Sequence, residues 1–113
     1  MNIQIFGRSK SFDTKKAERW FKERRIKYQS VDVAKFGMSP GELKSVRQAL
    51  GSWDALLDPD SKEQDAVLFS YLAGEEAKLE KFLENPKILR APIVRNGKQA
   101  TVGYCPQVWE KWE

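Results

Sequence analysis

Residues 3–33 read IQIFGRSKSFDTKKAERWFKERRIKYQSVDV, and this stretch decides the fold. IQIF alternates and is short, as a half-buried strand is. From Asp13 to Arg25 the pattern changes. Ala17, Trp20, Phe21 and Arg24 fall three and four apart, which turns Trp20 and Phe21 toward a core from one side of a helix. IKYQSVDVA, residues 26–34, returns to strand character with Tyr28, Val31 and Val33. Strand, helix and strand within about 33 residues make a βαβ unit, whose two strands run parallel. The turn between the first strand and the helix, GRSKSF at residues 7–12, carries two cations and two hydroxyls. Unpaired backbone N–H groups at a helix N-terminus point out of such a turn, so the position suits an anion or a reactive side chain. Asp13 or Ser11 is the expected cap of the helix.

Downstream the strand signal stops. MSPGELKSVRQALG, residues 38–51, offers Ser39 as N-cap, Pro40 at the first helical position and Glu42 to close a capping box. Leu43, Val46 and Leu50 follow at helical spacing, and Gly51 can end the helix. SWDALL, residues 52–57, reads as a helical turn. SKEQDAVLFSYLAG, residues 61–74, reads as one helix ending near Gly74. EEAKLEKFLENP reads as another, with Glu75 and Glu76 in its first turn and Pro86 beyond its end. Residues 37–86 therefore form a helical insert. APIVRNGKQATVGY, residues 91–104, holds two short strands around Asn96-Gly97, the strongest short hairpin signal because both positions favour φ > 0. PQVWEKWE closes with a short helix in which Pro106 suits the first turn. The order is βαβ, helices, ββα. That is the grammar of a thioredoxin-like α/β fold, a mixed four-stranded sheet interrupted by a helical insertion. Residues 1–36 and 87–113 are its expected core, within a single domain spanning 1–113.

Composition agrees with a globular domain. Hydrophobic residues make up 41% of the 113 and aromatics 12%, enough to build a core, while 32% charged residues cover a surface. No run approaches about 18 apolar residues, so no membrane span is expected. No apolar leader opens the sequence, and a cytoplasmic protein is the expectation. One Cys excludes an intrachain disulfide, and one Cys without any His argues against a zinc site or other metal centre. The lack of His also removes the commonest general base. Charge is uneven: residues 1–28 hold nine Lys/Arg and three Asp/Glu, a net of +6, whereas the remaining residues hold eleven and thirteen, a net of −2. A basic first region attracts phosphate, nucleic acid or an acidic protein, or else is a solvated helix face in which Glu18 and Glu23 interleave with the cations. No helix-turn-helix or RNA-binding signature accompanies it, and direct nucleic-acid binding is not expected.

IQIFG…DTKKAERWF followed by LRAPIVRNGKQATVGY resembles the family of glutaredoxin-coupled arsenate reductases and the Spx transcriptional regulators. The resemblance extends over essentially the whole chain, WDALLD included. It implies a nucleophilic Cys in the loop after the first strand, held as a thiolate by a helix N-terminus and cations. Ser11 stands at that position here, and Thr14 at the second position of the family's C-x-x-[STC] pattern. The resemblance also implies an Arg near Asp58, an Arg directly before the Pro that opens the third strand, and an Arg near the end of the hairpin. Here those places hold Asp58, Ala91 (with Arg90 one residue earlier) and TVGY. Pro92 matches the cis-proline that faces the active-site loop in this fold. Arsenate reduction is therefore not expected of this sequence.

A serine hydroxyl is not a nucleophile near neutral pH without a base, and it has no disulfide chemistry. Ser11 reads either as an N-cap or as the nucleophile position of a lost thiol, whether by engineering or by natural replacement. Cys105 reads either as a small, unreactive, partly buried residue or as a former resolving thiol. Ser9, Lys10, Ser11 and Thr14 are expected to line a shallow oxyanion pocket with Arg90 at its rim. Three functions follow. One is a non-catalytic relative that binds a protein or small oxyanion through the old active-site face and needs no cofactor. Another is a thiol oxidoreductase served by glutathione or glutaredoxin and seen in a Cys-to-Ser form. The third is an Spx-like regulator acting on RNA polymerase.

Overall fold

The structure, a computed structural model, describes residues 1–112. β1 (Ile3–Gly7), α1 (Phe12–Glu23) and β2 (Tyr28–Asp32) form the opening unit. β1 and β2 pair in parallel, with Ile3 opposite Tyr28 and Gly7 opposite Asp32. β3 (Ile93–Asn96) runs antiparallel to β1, and β4 (Gln99–Val102) antiparallel to β3, giving the order β2-β1-β3-β4. Between β2 and β3 lie α2 (Val33–Phe36), α3 (Pro40–Leu50), α4 (Gln64–Leu68) and α5 (Glu75–Glu84), with short 3-10 turns between them; α6 (Pro106–Trp109) follows β4. This is the mixed four-stranded, thioredoxin-like sheet with a helical insertion.

The central strands are buried on both faces, and their alternation divides the core in two. Ile3, Ile5 and Val94 turn toward α1, where they meet Ala17, Trp20, Phe21, Trp109 and Trp112. Phe6 and Ile93 turn the other way, toward Val33, Leu43, Val46, Trp53, Leu56, Phe69, Leu79, Phe82, Ile88 and Leu89. Trp20 packs edge-on against both Phe21 and Trp109, at 4.9 and 5.4 Å between ring centroids.

Three local expectations need correction. β2 stops at Asp32 rather than running on through Val33. The Asp32 carboxylate accepts from the Ala34 and Lys35 backbone N–H groups and so caps α2, a competition that β-branched composition does not reveal. Residues 61–74 are not one helix. α4 spans five residues and gives way to a 3-10 turn at Phe69–Tyr71. Glu63 supplies no side-chain cap to α4, and Phe69 alone is buried while Val67 stays 63% exposed, so no apolar face holds a longer helix in place. In the hairpin, Asn96 pairs with Gln99, and the loop residues are Gly97 and Lys98. Gly97 has φ +60° and Lys98 does not enter the positive-φ region, so the turn follows the pattern with glycine at its first central position. Asn96 is the last strand residue, and its side chain accepts from the Asn2 backbone N–H.

Tyr28, at the start of β2, links the sheet to pH. Burial raises its phenol above the ordinary value of 10.0, and the Glu18 carboxylate raises it further. Lys81 is also raised above its usual 10.5, mainly by its hydrogen bond to Glu84. The folded state disfavours the Tyr28 phenolate and favours the Lys81 ammonium. Both contributions are therefore intact below about pH 10 and lost as pH rises through the raised values. Thermal melts from about pH 8 to about pH 11 should show a falling midpoint, and Tyr28→Phe should make the fall shallower. An unchanged slope in that variant counts against the assignment.

Candidate functional site

The site begins where β1 ends. The Ser11 N–H donates to the Arg8 carbonyl at 3.1 Å, which closes the turn, and Ser11 adopts extended backbone angles. Its Oγ accepts from the Thr14 N–H at 3.1 Å, so of the two candidate caps it is Ser11 that starts α1. Thr14 is buried, and its Oγ1 accepts from the Arg8 N–H at 3.2 Å. Gly7 makes that placement possible, because a Cβ there would lie 2.3 Å from Thr14 Cγ2.

Arg8 turns across the molecule. Its Nη2 donates to the carbonyls of Lys87 and Leu89, the latter at 2.7 Å, and its Nη1 lies 3.6 Å from the Asp58 carboxylate. Asp58 N–H donates to the Ile88 carbonyl, and Arg90 N–H to the Leu56 carbonyl, both at 2.8 Å, so residues 56–58 run beside residues 88–90. Then comes the Ala91–Pro92 peptide, which is cis, with the Pro92 carbonyl accepting from Gly103 N–H.

These segments enclose a cleft of about 260 Å³ lined by Arg8, Ser11, Asp13, Asp58, Asp60 and Arg90. Two cations and three carboxylates give it a formal charge of −1 (2 − 3), not the cationic lining expected from the turn. Only Ser11 and Arg90 of the expected set meet there. Ser9 and Thr14 line a neighbouring cleft of about 310 Å³ with Lys15, Glu18, Ser30 and Asp32. Lys10 is exposed and borders neither, and Pro92 is buried behind the site. The physical reason is the direction of the helix. Thr14, one turn into α1, faces inward against Gly7, while the cap residue Ser11 faces the 56–60 loop.

Arg8 was missed. It belongs to the cation-rich turn in the sequence, but its partners are backbone carbonyls some eighty positions away, and nothing local to the turn announces them. Cys105 lies in neither cleft. Its thiol donates to the Val102 carbonyl at 3.2 Å, and the side chain packs against the α1 side of the core.

The arrangement favours capping over chemistry at Ser11. Among the described residues, no carboxylate accepts a hydrogen bond from its hydroxyl and no lysine donates to it, and the one hydrogen bond the hydroxyl makes is from the Thr14 N–H. Among those residues, too, no group of three or more His, Cys, Asp or Glu is placed to hold a metal ion. Among the described residues, no helix is long and apolar enough to cross a membrane.

The model of the ArsC family matches residues 6–112. The global transcriptional regulator Spx 2 of Oceanobacillus iheyensis is 29% identical over 109 residues, covering 92% of this chain and 78% of that protein. Among solved structures, an arsenate reductase from Vibrio cholerae superposes with a TM-score of 0.85 at 23% identity, over 99% of this chain and 98% of that one. An ArsC family related protein from Bacteroides fragilis gives the same TM-score of 0.85 at 22% identity, over 98% and 97%.

Proposed function

The chain belongs to the ArsC family, and from that premise we propose that it is a non-catalytic member whose former active-site cleft, net anionic, is a binding face for a partner protein. The observation that carries the proposal is Ser11. It stands where the family resemblance calls for the reactive thiol, and its Oγ is occupied as the N-cap of α1. Cys105 does not replace it, since its thiol is turned to the Val102 carbonyl. Asp58 and Ala91 stand where the resemblance calls for arginines, and Asp58 pairs with Arg8, which leaves that cation engaged within the protein.

Restoring the thiol tests this reading. In Ser11→Cys the new sulfur meets the same Thr14 N–H at the start of a 12-residue helix, so its pKa should fall below the free value of about 8.5. Labelling by a thiol probe at neutral pH should be at least about tenfold faster than for Cys105 in the parent protein. Disulfide reduction with glutathione should be negligible in the parent and weak in the variant, and arsenate should remain a poor substrate for both. Turnover of disulfides or arsenate by the parent protein would sink the non-catalytic reading. A thiol at position 11 with an unshifted pKa would sink the claim that this turn is a reactive-site scaffold. The same variant addresses the alternative of a glutathione- or glutaredoxin-linked oxidoreductase in a Cys-to-Ser form, for which activity should approach that of a working enzyme.

The similarity to Spx 2 favours a second reading, a regulator acting on RNA polymerase. Co-sedimentation with purified RNA polymerase distinguishes it. Stable association supports the regulator, and its absence leaves the cleft-binding reading alone.

A further inference from the structure

The basic segment of residues 15–27 is not absorbed by the cleft around Ser11. It holds Lys15, Lys16, Arg19, Lys22, Arg24, Arg25 and Lys27, against Glu18 and Glu23. Interleaved charges of this kind commonly pair along a helix. Here they do not: the ion pairs among the described residues engage Arg8, Arg47, Lys78 and Lys81, and none engages a cation of this segment. Glu18 is instead taken by the Ser30 hydroxyl at 2.7 Å.

Part of this charge is organised. Phe12, Lys16, Arg19 and Glu23 lie four, three and four apart, so they form one outward stripe along α1. Beside the stripe, Lys16, Arg19, Trp20, Glu23, Arg24 and Tyr104 line a groove of about 420 Å³. At the N-terminal end of the stripe Phe12 is 80% exposed, an apolar anchor beside the cations. We infer that this stripe and groove dock an acidic segment of a partner protein, carboxylates on Lys16, Arg19 and Arg24 and an apolar side chain on Phe12.

Charge and packing select a protein over a nucleic acid. Bases bind through open aromatic faces. Trp20 is only 5% exposed and Arg24 stacks on it at 4.0 Å from the ring centroid, while Lys16 lies over the ring of Tyr104 at 5.8 Å. The π faces inside the groove are thus already met by cations, and Phe12 at its end is a single open ring, whereas a nucleic-acid strand stacks successive bases on several. Glu23 within the groove repels a continuous phosphate backbone but tolerates a segment whose carboxylates are spaced by apolar residues. This surface is independent of what Ser11 does, and it stands or falls separately from the reading of the cleft.

The probe is a fluorescein-labelled synthetic peptide of alternating glutamates and leucines with one phenylalanine, followed by anisotropy. It should bind the full chain and release as salt is raised toward about 0.5 M. Lys16→Glu with Arg19→Glu should weaken binding at least about tenfold, and Phe12→Ser by a smaller factor. Lys44→Glu with Lys98→Glu carries the same change in net charge at exposed positions elsewhere and should leave binding within about twofold. Far-UV circular dichroism checks that each variant is folded. Equal losses in the two charge-reversal pairs, no binding by the parent, or tighter binding of an oligothymidylate than of the peptide each overturn the inference.

Discussion

Replacing Trp109 with alanine is expected to destabilise the protein by about 3–5 kcal/mol, a fall in melting temperature of roughly 10–20 °C. Trp109 is 1% exposed although it belongs to a helix of four residues, α6. Its ring meets Trp20, Phe21 and Tyr104 at centroid distances of 5.4, 5.0 and 5.6 Å. Its Nε1 donates to the Thr101 hydroxyl at 2.8 Å, which ties α6 to β4. Removing the side chain empties the centre of the α1-side cluster and leaves the buried hydroxyl without its donor. Thr101→Val separates the two effects. It keeps the shape and orphans the indole N–H, for an expected loss of about 1–3 kcal/mol. Chemical denaturation of both variants supplies the check. A loss below about 1 kcal/mol for Trp109→Ala would mean that α6 is not part of the cooperative core.

Gly7→Ala is expected to cost about 1–3 kcal/mol, although alanine is smaller than every side chain around it. The added Cβ would lie 2.3 Å from Thr14 Cγ2 and 2.7 Å from Thr14 Oγ1. Thr14 has little freedom to retreat, because its N–H is held by Ser11 Oγ and its Oγ1 by the Arg8 N–H. Thr14→Ala alone gives up the acceptor for Arg8 and should lose about 1 kcal/mol. Together the two substitutions should be less harmful than their sum, since the second removes the two closest contacts created by the first. A double-mutant cycle in urea should read a coupling of about 0.5–3 kcal/mol. Simple additivity, or a neutral Gly7→Ala, would show that the turn relaxes and that glycine is not required there.

The parts of the fold that the sequence disclosed are those written in short-range patterns. The spacing of Ala17, Trp20 and Phe21 was enough for α1, and Ser39, Pro40 and Glu42 for the start of α3, whose capping box is formed as expected. What short-range pattern does not carry is decided by tertiary partners. Val33 has strand propensity, yet Asp32 caps a helix over it. Val67 and Leu68 carry a helical pattern, yet they stay 63% and 44% exposed, and the helix ends. The candidate site shows the same division. The turn alone offered Asp13 or Ser11 as the head of α1, and the hydrogen bond from the Thr14 N–H selects Ser11. The separation of Thr14 from Ser11 into different clefts depends on which way the first helical turn faces. The pairing of Arg8 with Asp58 depends on a loop fifty residues downstream, so the charge of the cleft could not be summed from the turn that names it.

β1 lies second in the sheet, flanked by β2 from the start of the chain and β3 from near residue 93. This has a consequence for the order in which the protein can be made. As the chain emerges during synthesis, the βαβ unit can pair its two strands early, but Ile3, Ile5 and Phe6 remain without their second neighbour until the hairpin appears. The aromatic plug from Trp109 and Trp112 comes later still. Contacts that span most of the chain form slowly, and apolar strands that wait for them are open to wrong partners. A nascent chain stalled before residue 93 should therefore be a substrate for chaperones rather than a small folded domain, with β1 among the last of these strands to be enclosed.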